Sequence, residues 1–275
     1  MIRLLALDLD GTVVGDDLQV PATVRDAIAE AQARGVIVTL ATGRMFAVAL
    51  PFARDLKLSA PIICYQGALI QTPGAAQPLY LATMDAALMS EVLDWQAECI
   101  WQVVLYTATE AFALERRYSE RFSAILARER LRWVTDFGEV IQSNVPVKFL
   151  VVAEPDEADQ IEAQLGRRFD GRIAIVRSHA AVVEGSPLDA TKGSALRWVA
   201  QHLGIAQADT MAIGDQDNDA SMVAWAGVGV AMGNGSPACQ AAADWVAPPF
   251  SQHGAAVAIE RFILEDQAKQ QSLRH

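Results

Sequence analysis

At 275 residues the chain exceeds the roughly 200–250 at which a single core usually stops growing, so two units are expected. Hydrophobic residues make up 52% and charged residues 20%, which excludes a disordered or fibrous chain. Lys and Arg total 22 against 33 Asp and Glu, and this net charge of −11 disfavours nucleic acid and anionic membrane as general partners, because both reward a basic surface.

The first 70 residues alternate short β-type runs with helical patterns. Leu4–Leu9 is the first expected strand, a helix follows over 22–34 behind Pro21, Val36–Leu40 is the second strand after Gly35, and Pro61–Cys64 is the third. That alternation feeds a parallel sheet. From about Thr83 to Ser186 the grammar changes. A helix over 85–98, strands Trp101–Tyr106 and Ala111–Leu114, a helix over 119–130, strand Lys148–Ala153, a helix over 156–169 and strand Ile173–Val176 make an α+β arrangement. Its Trp95, Trp101, Tyr106 and Trp133 are expected as core and hairpin packing. The first grammar then returns: a helix over 193–203, strand Thr210–Ile213, a helix over 220–226 and strand Val228–Ala231. The expected fold is therefore α/β, with a parallel-sheet core from 1–82 and 187–275 and an α+β domain inserted at 83–186.

Cys64, Cys99 and Cys239 lie far apart with no C-x-x-C pair, so neither a disulfide framework nor a zinc site is expected, and a reducing, cytoplasmic setting fits. Asp8 and Asp10 interrupt the apolar start, so no export signal is expected. The uncharged stretches 58–84 and 220–243 are broken by prolines, glycines and amides, which makes them poor spanning helices. The four histidines, His179, His202, His253 and His275, share no metal-ligand spacing. Asp215, Asp217 and Asp219 resemble a calcium loop until its sixth and twelfth positions, where Ala220 and Ala226 stand in place of Gly and Glu. Thr191 stands before Lys192 where a P-loop needs Gly, and the glycines of 227–235 do not match G-x-G-x-x-G, so tight packing is the better reading there. The chain has no G-x-S-x-G elbow.

The chemistry-bearing residues sit where strands end. The first strand runs into Asp8-Leu9-Asp10-Gly11-Thr12, which places two carboxylates at the carboxyl edge of a parallel sheet, where open α/β sheets bind ligands. Residues two apart in an extended segment point the same way, so Asp8 and Asp10 can address one point while Gly11 frees the turn. Thr210–Ile213 ends in Gly214-Asp215-Gln216-Asp217-Asn218-Asp219, and in a shared sheet Asp215 converges on Asp8 to form an oxygen-rich cluster suited to Mg²⁺. Thr42-Gly43-Arg44 offers a hydroxyl, a flexible backbone amide and a guanidinium to a phosphate. Lys192 is a candidate counter-charge to the acids.

On DLDGT at 8–12, ATGR at 41–44, Lys192-Gly193 and GDQDND at 214–219, in that order over nearly the whole chain, the sequence resembles the haloacid dehalogenase superfamily, specifically the Cof-type phosphatases with a large cap inserted in a Rossmann-like core. The resemblance implies Mg²⁺-dependent hydrolysis of small phosphomonoesters, such as sugar, nucleotide or cofactor phosphates, through an aspartyl-phosphate. It implies Asp8 as nucleophile and Asp10 as acid and then base. Thr42, Gly43, Lys192 and Asn218 would bind the phosphoryl group, and Asp8, Asp215 and the carbonyl of Asp10 would hold Mg²⁺. Asp219 would orient the metal shell, and Arg44 would face the substrate. For its proton transfers Asp10 is expected among other carboxylates and out of full contact with water.

Two positions depart from the family pattern: Gln66-Gly67-Ala68 where Asn-Gly-Ala is usual, and Gln252-His253-Gly254 where Glu-Asp-Gly is usual. They bear on substrate range and metal affinity. A phosphomutase is the alternative enzyme, and a phospho-ligand sensor that keeps the fold without catalysis is the alternative from another class. The expected partner is a small phosphorylated metabolite, with no nucleic acid or membrane, and the expected state is a monomer, with a homodimer as the alternative.

Overall fold

The computed structural model describes residues 1–98, 101–115, 131–179 and 181–265. The helix expected over 119–130, together with Cys99 and His275, lies outside the described residues. The chain divides into two compact units. One comprises Met1–Arg44, Ala49–Leu79 and the chain from Thr191 onward, and the other comprises Met45–Val48 and Tyr80–Ala190.

The first unit is built on a five-stranded parallel sheet in the spatial order Trp245–Val246, Val228–Ala231, Thr210–Gly214, Leu4–Leu7, Ile37–Leu40. The two ends of the sequence thus share one sheet. Leu4, Leu5, Ala6 and Leu7 are all fully buried, as a central parallel strand covered on both faces requires. In register, Leu7 lies opposite Ile213 on one side and Leu40 on the other, so the segments after all three strands emerge at the same edge. Ala41 bridges in parallel to Ile63, and the strand Ile62–Cys64 turns back antiparallel through Leu69–Gln71. That turn carries three successive positive φ angles, 52° at Tyr65, 58° at Gln66 and 110° at Gly67. A Cβ on Gly67 would fall 2.3 Å from the carbonyl oxygen of Thr191, so the turn abuts the start of the helix Lys192–His202.

The second unit carries a six-stranded sheet in the order Ala174–His179, Val182–Ser186, Pro146–Val152, Gln102–Thr107, Ala111–Leu114, Leu131–Val134, antiparallel except for its last pair. Its helices Ala86–Ala97, Phe137–Ser143 and Pro155–Arg168 place Met89, Val92, Trp95, Phe137, Val140, Ile161 and Leu165 in one core with Val103, Leu105, Phe149 and Val151 of the sheet. Asp85 starts the first of these helices by accepting hydrogen bonds from the amides of Ala87 and Leu88. Trp95 stacks on Trp101, and both join this core, while Trp133 is exposed.

Candidate active site

Asp8 follows the central strand directly, and its amide donates to the carbonyl of Ile213 at 2.9 Å, which locks it beside the neighbouring strand's end. Its side chain is buried. One oxygen, Oδ1, accepts from Lys192 Nζ at 2.6 Å, and the other, Oδ2, is buried with no hydrogen-bond partner. A buried carboxylate oxygen with nothing to accept is costly unless a ligand answers it. Burial, and after it the charge of Asp219, raise the Asp8 carboxyl well above the ordinary carboxylate range against the opposing pull of Lys192.

Lys192 is only 1% exposed at the first position of its helix. The helix begins with a capping box in which Thr191 Oγ1 accepts from the Ser194 amide and Ser194 Oγ accepts from the Thr191 amide, each at 3.1 Å. Gly193 lets the helix press on its neighbour Ala220–Trp225, since a Cβ there would lie 2.4 Å from the Ser221 carbonyl oxygen. Lys192 Nζ thereby reaches both Asp8 and Asp219. Burial opposes its charge, but Asp219 and Asp8 outweigh that and raise the ammonium's pKa.

Asp219 has each oxygen engaged. Oδ2 accepts from the amides of Asp215 and Gln216 at 2.9 and 3.0 Å, and Oδ1 accepts from Lys192. It therefore folds the loop 215–219 back on itself. Asp215, also buried, is approached by Gln216 Nε2 at 2.8 Å and Asn234 Nδ2 at 3.4 Å on Oδ2, and by Thr12 Oγ1 at 3.4 Å on Oδ1. Burial pushes its carboxyl up to about 6. Gly11 has φ +85°, and a Cβ there would sit 2.4 Å from Asp215 Oδ2, so only glycine lets the first loop pass this close to the second.

Asp8, Asp215 and Asp219 each bring an oxygen within 4.8 Å of one another. Three carboxylates face one ammonium, and one oxygen is orphaned, so the donor set fits a hard divalent cation. Asp8 and Asp215 are better placed than Asp219 to hold such a cation, because the Asp219 oxygens are already committed to two amides and Lys192.

Thr42 is buried at the end of the adjacent strand. Its amide donates to the Ile63 carbonyl at 2.9 Å, and its hydroxyl accepts from the Arg44 amide at 3.2 Å. Gly43 packs so closely on Gln66 that a Cβ would lie 2.5 Å from Gln66 Nε2. Gln66 Oε1 in turn accepts from Asn218 Nδ2 at 2.8 Å, while Asn218 Oδ1 is buried without a partner. The residue that departs from the family pattern is thus tied to Asn218. Asp10 corrects an expectation: its side chain is 49% exposed and forms a bidentate ion pair with Arg44. The strand has ended by this point and Gly11 turns the chain outward, so Asp8 is enclosed and Asp10 is not.

Sequence reasoning missed Asn234, which it left as loop packing. Its Nδ2 meets the Gly11 carbonyl at 3.2 Å as well as Asp215, and its Oδ1 accepts from the Phe250 amide at 2.7 Å. The second departure, His253, ends the short turn that starts at Phe250, with φ 55°, so this turn is anchored to the acidic cluster through Asn234. Gln216 and Thr12 were likewise missed as partners of Asp215. The only available signal was their position inside the two acidic loops. Cys64 and Cys239 are buried free thiols, both pushed up by burial.

Residues 5–259 match the family model of the haloacid dehalogenase-like hydrolases. The chain belongs to this family. Among curated relatives it is similar to a 5-amino-6-(5-phospho-D-ribitylamino)uracil phosphatase of Bacillus subtilis, at 29% identity over 96% of both chains. It is also similar to an HMP-PP phosphatase of Serratia proteamaculans, at 30% identity over 86% of both. Among solved structures, a haloacid dehalogenase-like hydrolase from Bacteroides thetaiotaomicron superposes with a TM-score of 0.83 at 27% identity, covering 95% of this chain and 99% of that one. As a hydrolase of this family the chain has its acidic motifs at the sheet edge just described. No described helix is long and apolar enough to cross a membrane.

Proposed function

We propose that this hydrolase is a Mg²⁺-dependent phosphatase of small phosphomonoesters that works through an aspartyl-phosphate on Asp8. The observation that carries the reading is Asp8 itself: one oxygen is fixed by Lys192, and the other is buried and unpartnered beside Asp215. The relatives named as a 5-amino-6-(5-phospho-D-ribitylamino)uracil phosphatase and an HMP-PP phosphatase support small phosphorylated metabolites as the substrate class. The second unit is the candidate for selecting the leaving group.

In the proposed sequence an Asp8 carboxylate oxygen attacks phosphorus, the bond from phosphorus to the ester oxygen breaks, and Asp10 gives that oxygen its proton. Water then attacks the phosphoryl group as Asp10 takes a proton from it, the Asp8–phosphorus bond breaks and inorganic phosphate leaves. Lys192 holds Asp8 in place and offsets charge on the phosphoryl oxygens, joined by the hydroxyl of Thr42, the amide of Gly43 and the side chain of Asn218. Asp8, Asp215 and the carbonyl of Asp10 would hold Mg²⁺, and Asp219 would keep the loop carrying Asp215 in register. When bound, the cation neutralises the clustered carboxylates and the charge that builds on the transferring group.

The test is phosphate release from a panel of sugar, nucleotide and cofactor phosphates, with and without Mg²⁺, for the wild-type chain and Asp8→Asn. The reading expects activity that is lost on chelation, and a fall of at least about 10⁴-fold in a folded Asp8→Asn variant. Undiminished turnover by Asp8→Asn would remove Asp8 from the mechanism. Transfer of the phosphoryl group to a second hydroxyl, with none released, would make the enzyme a mutase.

A further inference from the structure

Outside the buried cluster, the site's other strong charge contact joins Arg44 to Asp10. Arg44 Nε donates to Asp10 Oδ2 at 2.8 Å, and Nη2 donates to Oδ1. The two partners are unequally held. The Arg44 amide donates to Thr42 Oγ1 at 3.2 Å, its carbonyl accepts from the Tyr65 amide at 3.1 Å, and its guanidinium lies 5.4 Å from the ring centroid of Phe52. The Arg44 side chain is 14% exposed against 49% for Asp10. The arginine is the fixed member, and the carboxylate leans on it.

A guanidinium fork meeting both carboxylate oxygens fixes the plane of the carboxylate as well as its place, which an ammonium cannot do. Each oxygen still has a lone pair directed away from the fork and available to a reacting proton. Proton transfer needs the group within hydrogen-bond reach of its target, and a half-exposed aspartate just before a glycine turn is otherwise free to change rotamer. We propose that Arg44 acts on the reaction through Asp10, as the positioning residue of the acid/base carboxylate, and not chiefly by holding the organic part of the substrate. This rests on the reading of Asp8 and Asp10 given under the proposed function.

The test is a double-mutant cycle on the full chain with two substrates, an alkyl phosphate whose leaving oxygen needs a proton and p-nitrophenyl phosphate, whose leaving group needs little help. Arg44→Ala is expected to lower kcat for the alkyl ester by about tenfold or more, with a smaller loss for p-nitrophenyl phosphate. KM is expected to move less than about threefold. Added to Asp10→Asn, Arg44→Ala is expected to change kcat by less than about twofold, because the group it positions is already gone. Arg44→Lys, which keeps the charge and loses the fork, should recover only part of the rate, and it serves in the same cycle if thermal unfolding shows Arg44→Ala to be misfolded. A rise in KM at unchanged kcat, or the same fold-loss with and without Asp10, would overturn the proposal and return Arg44 to the substrate. Turnover by Asp8→Asn would overturn the underlying reading and this proposal with it.

Discussion

Each unit buries a lysine against acid, and the two lysines are used differently. In the second unit Lys148 and Glu184 stand on neighbouring antiparallel strands, 3% and 6% exposed, with Nζ 2.7 Å from Glu184 Oε2 and 4.9 Å from the Tyr106 ring centroid. Here the ammonium meets a carboxylate on the next strand. In the first unit Lys192 faces Asp8 and Asp219 with Asp215 beside them, and Asp8 Oδ2 is left over. Burial of charge is common to both places, so burial alone does not mark chemistry. The excess of carboxylate does, because the molecule can hold it only with a further cation or with protons.

Replacing each lysine should separate the two cases most sharply. Lys192→Met is expected to cut phosphate release by about 10²–10³-fold, as loss of one group that stabilises transition-state charge does. Lys148→Met is expected to cost about 3–5 kcal/mol of stability in urea denaturation by stranding Glu184, with the Mg²⁺ midpoint of the remaining activity unchanged. Adding Glu184→Leu should restore most of that stability. Equal shifts of the Mg²⁺ midpoint in the two lysine variants would break the comparison.

Asn234→Ala should act more gently. Removing the amide that spans Gly11 and Asp215 is expected to raise the Mg²⁺ concentration at half-maximal thermal stabilisation by about tenfold, as loss of an outer-shell partner typically does. An unchanged midpoint would make Asn234 a loop anchor for Phe250 alone.

The smallest expected effect is on pH dependence. Burial pushes the Asp215 carboxyl up to about 6 from an ordinary value of 3.8, so between those values the folded chain binds more protons than the unfolded one. The contribution of this group to stability is therefore present at low pH and falls as pH rises from about 4 to about 6. Mg²⁺ held by Asp215 as proposed would need the carboxylate and so would be gained over the same window, and the rise in Tm on adding Mg²⁺ should be larger at about pH 7.5 than at about pH 5. Equal rises would mean that Asp215 is not a ligand.

The shared parallel sheet and the meeting of its acidic loops were legible because parallel strands deliver their functional residues at the carboxyl edge, and Asp8 and Asp215 each stand directly after such a strand; the order of the strands was not. Other elements carried signals that point the wrong way. Pro51 lies inside the helix Phe46–Asp55, where it reads as a break. Gly185 weakens the pattern of the strand Val182–Ser186, yet a Cβ there would lie 2.2 Å from the Phe149 ring, so the glycine makes room for an aromatic residue of the core. Leu131–Val134 has two exposed residues among its four and little apolar pattern. The ion pair of Asp10 with Arg44 and the hydrogen bond that Asn218 donates to Gln66 join residues 34 and 152 positions apart, which local spacing does not encode.

The central claim is that the surplus oxygen of the acidic cluster belongs to a nucleophile, and acid quench of the Mg²⁺-loaded enzyme during turnover, followed by mass mapping of its peptides, tests it most directly. The account predicts one added phosphoryl group on the peptide carrying Asp8, absent from Asp8→Asn and lost on standing as an acyl phosphate hydrolyses. A phosphoryl group on another residue, or steady turnover that under the same quench leaves no covalent species on the Asp8 peptide, would contradict it.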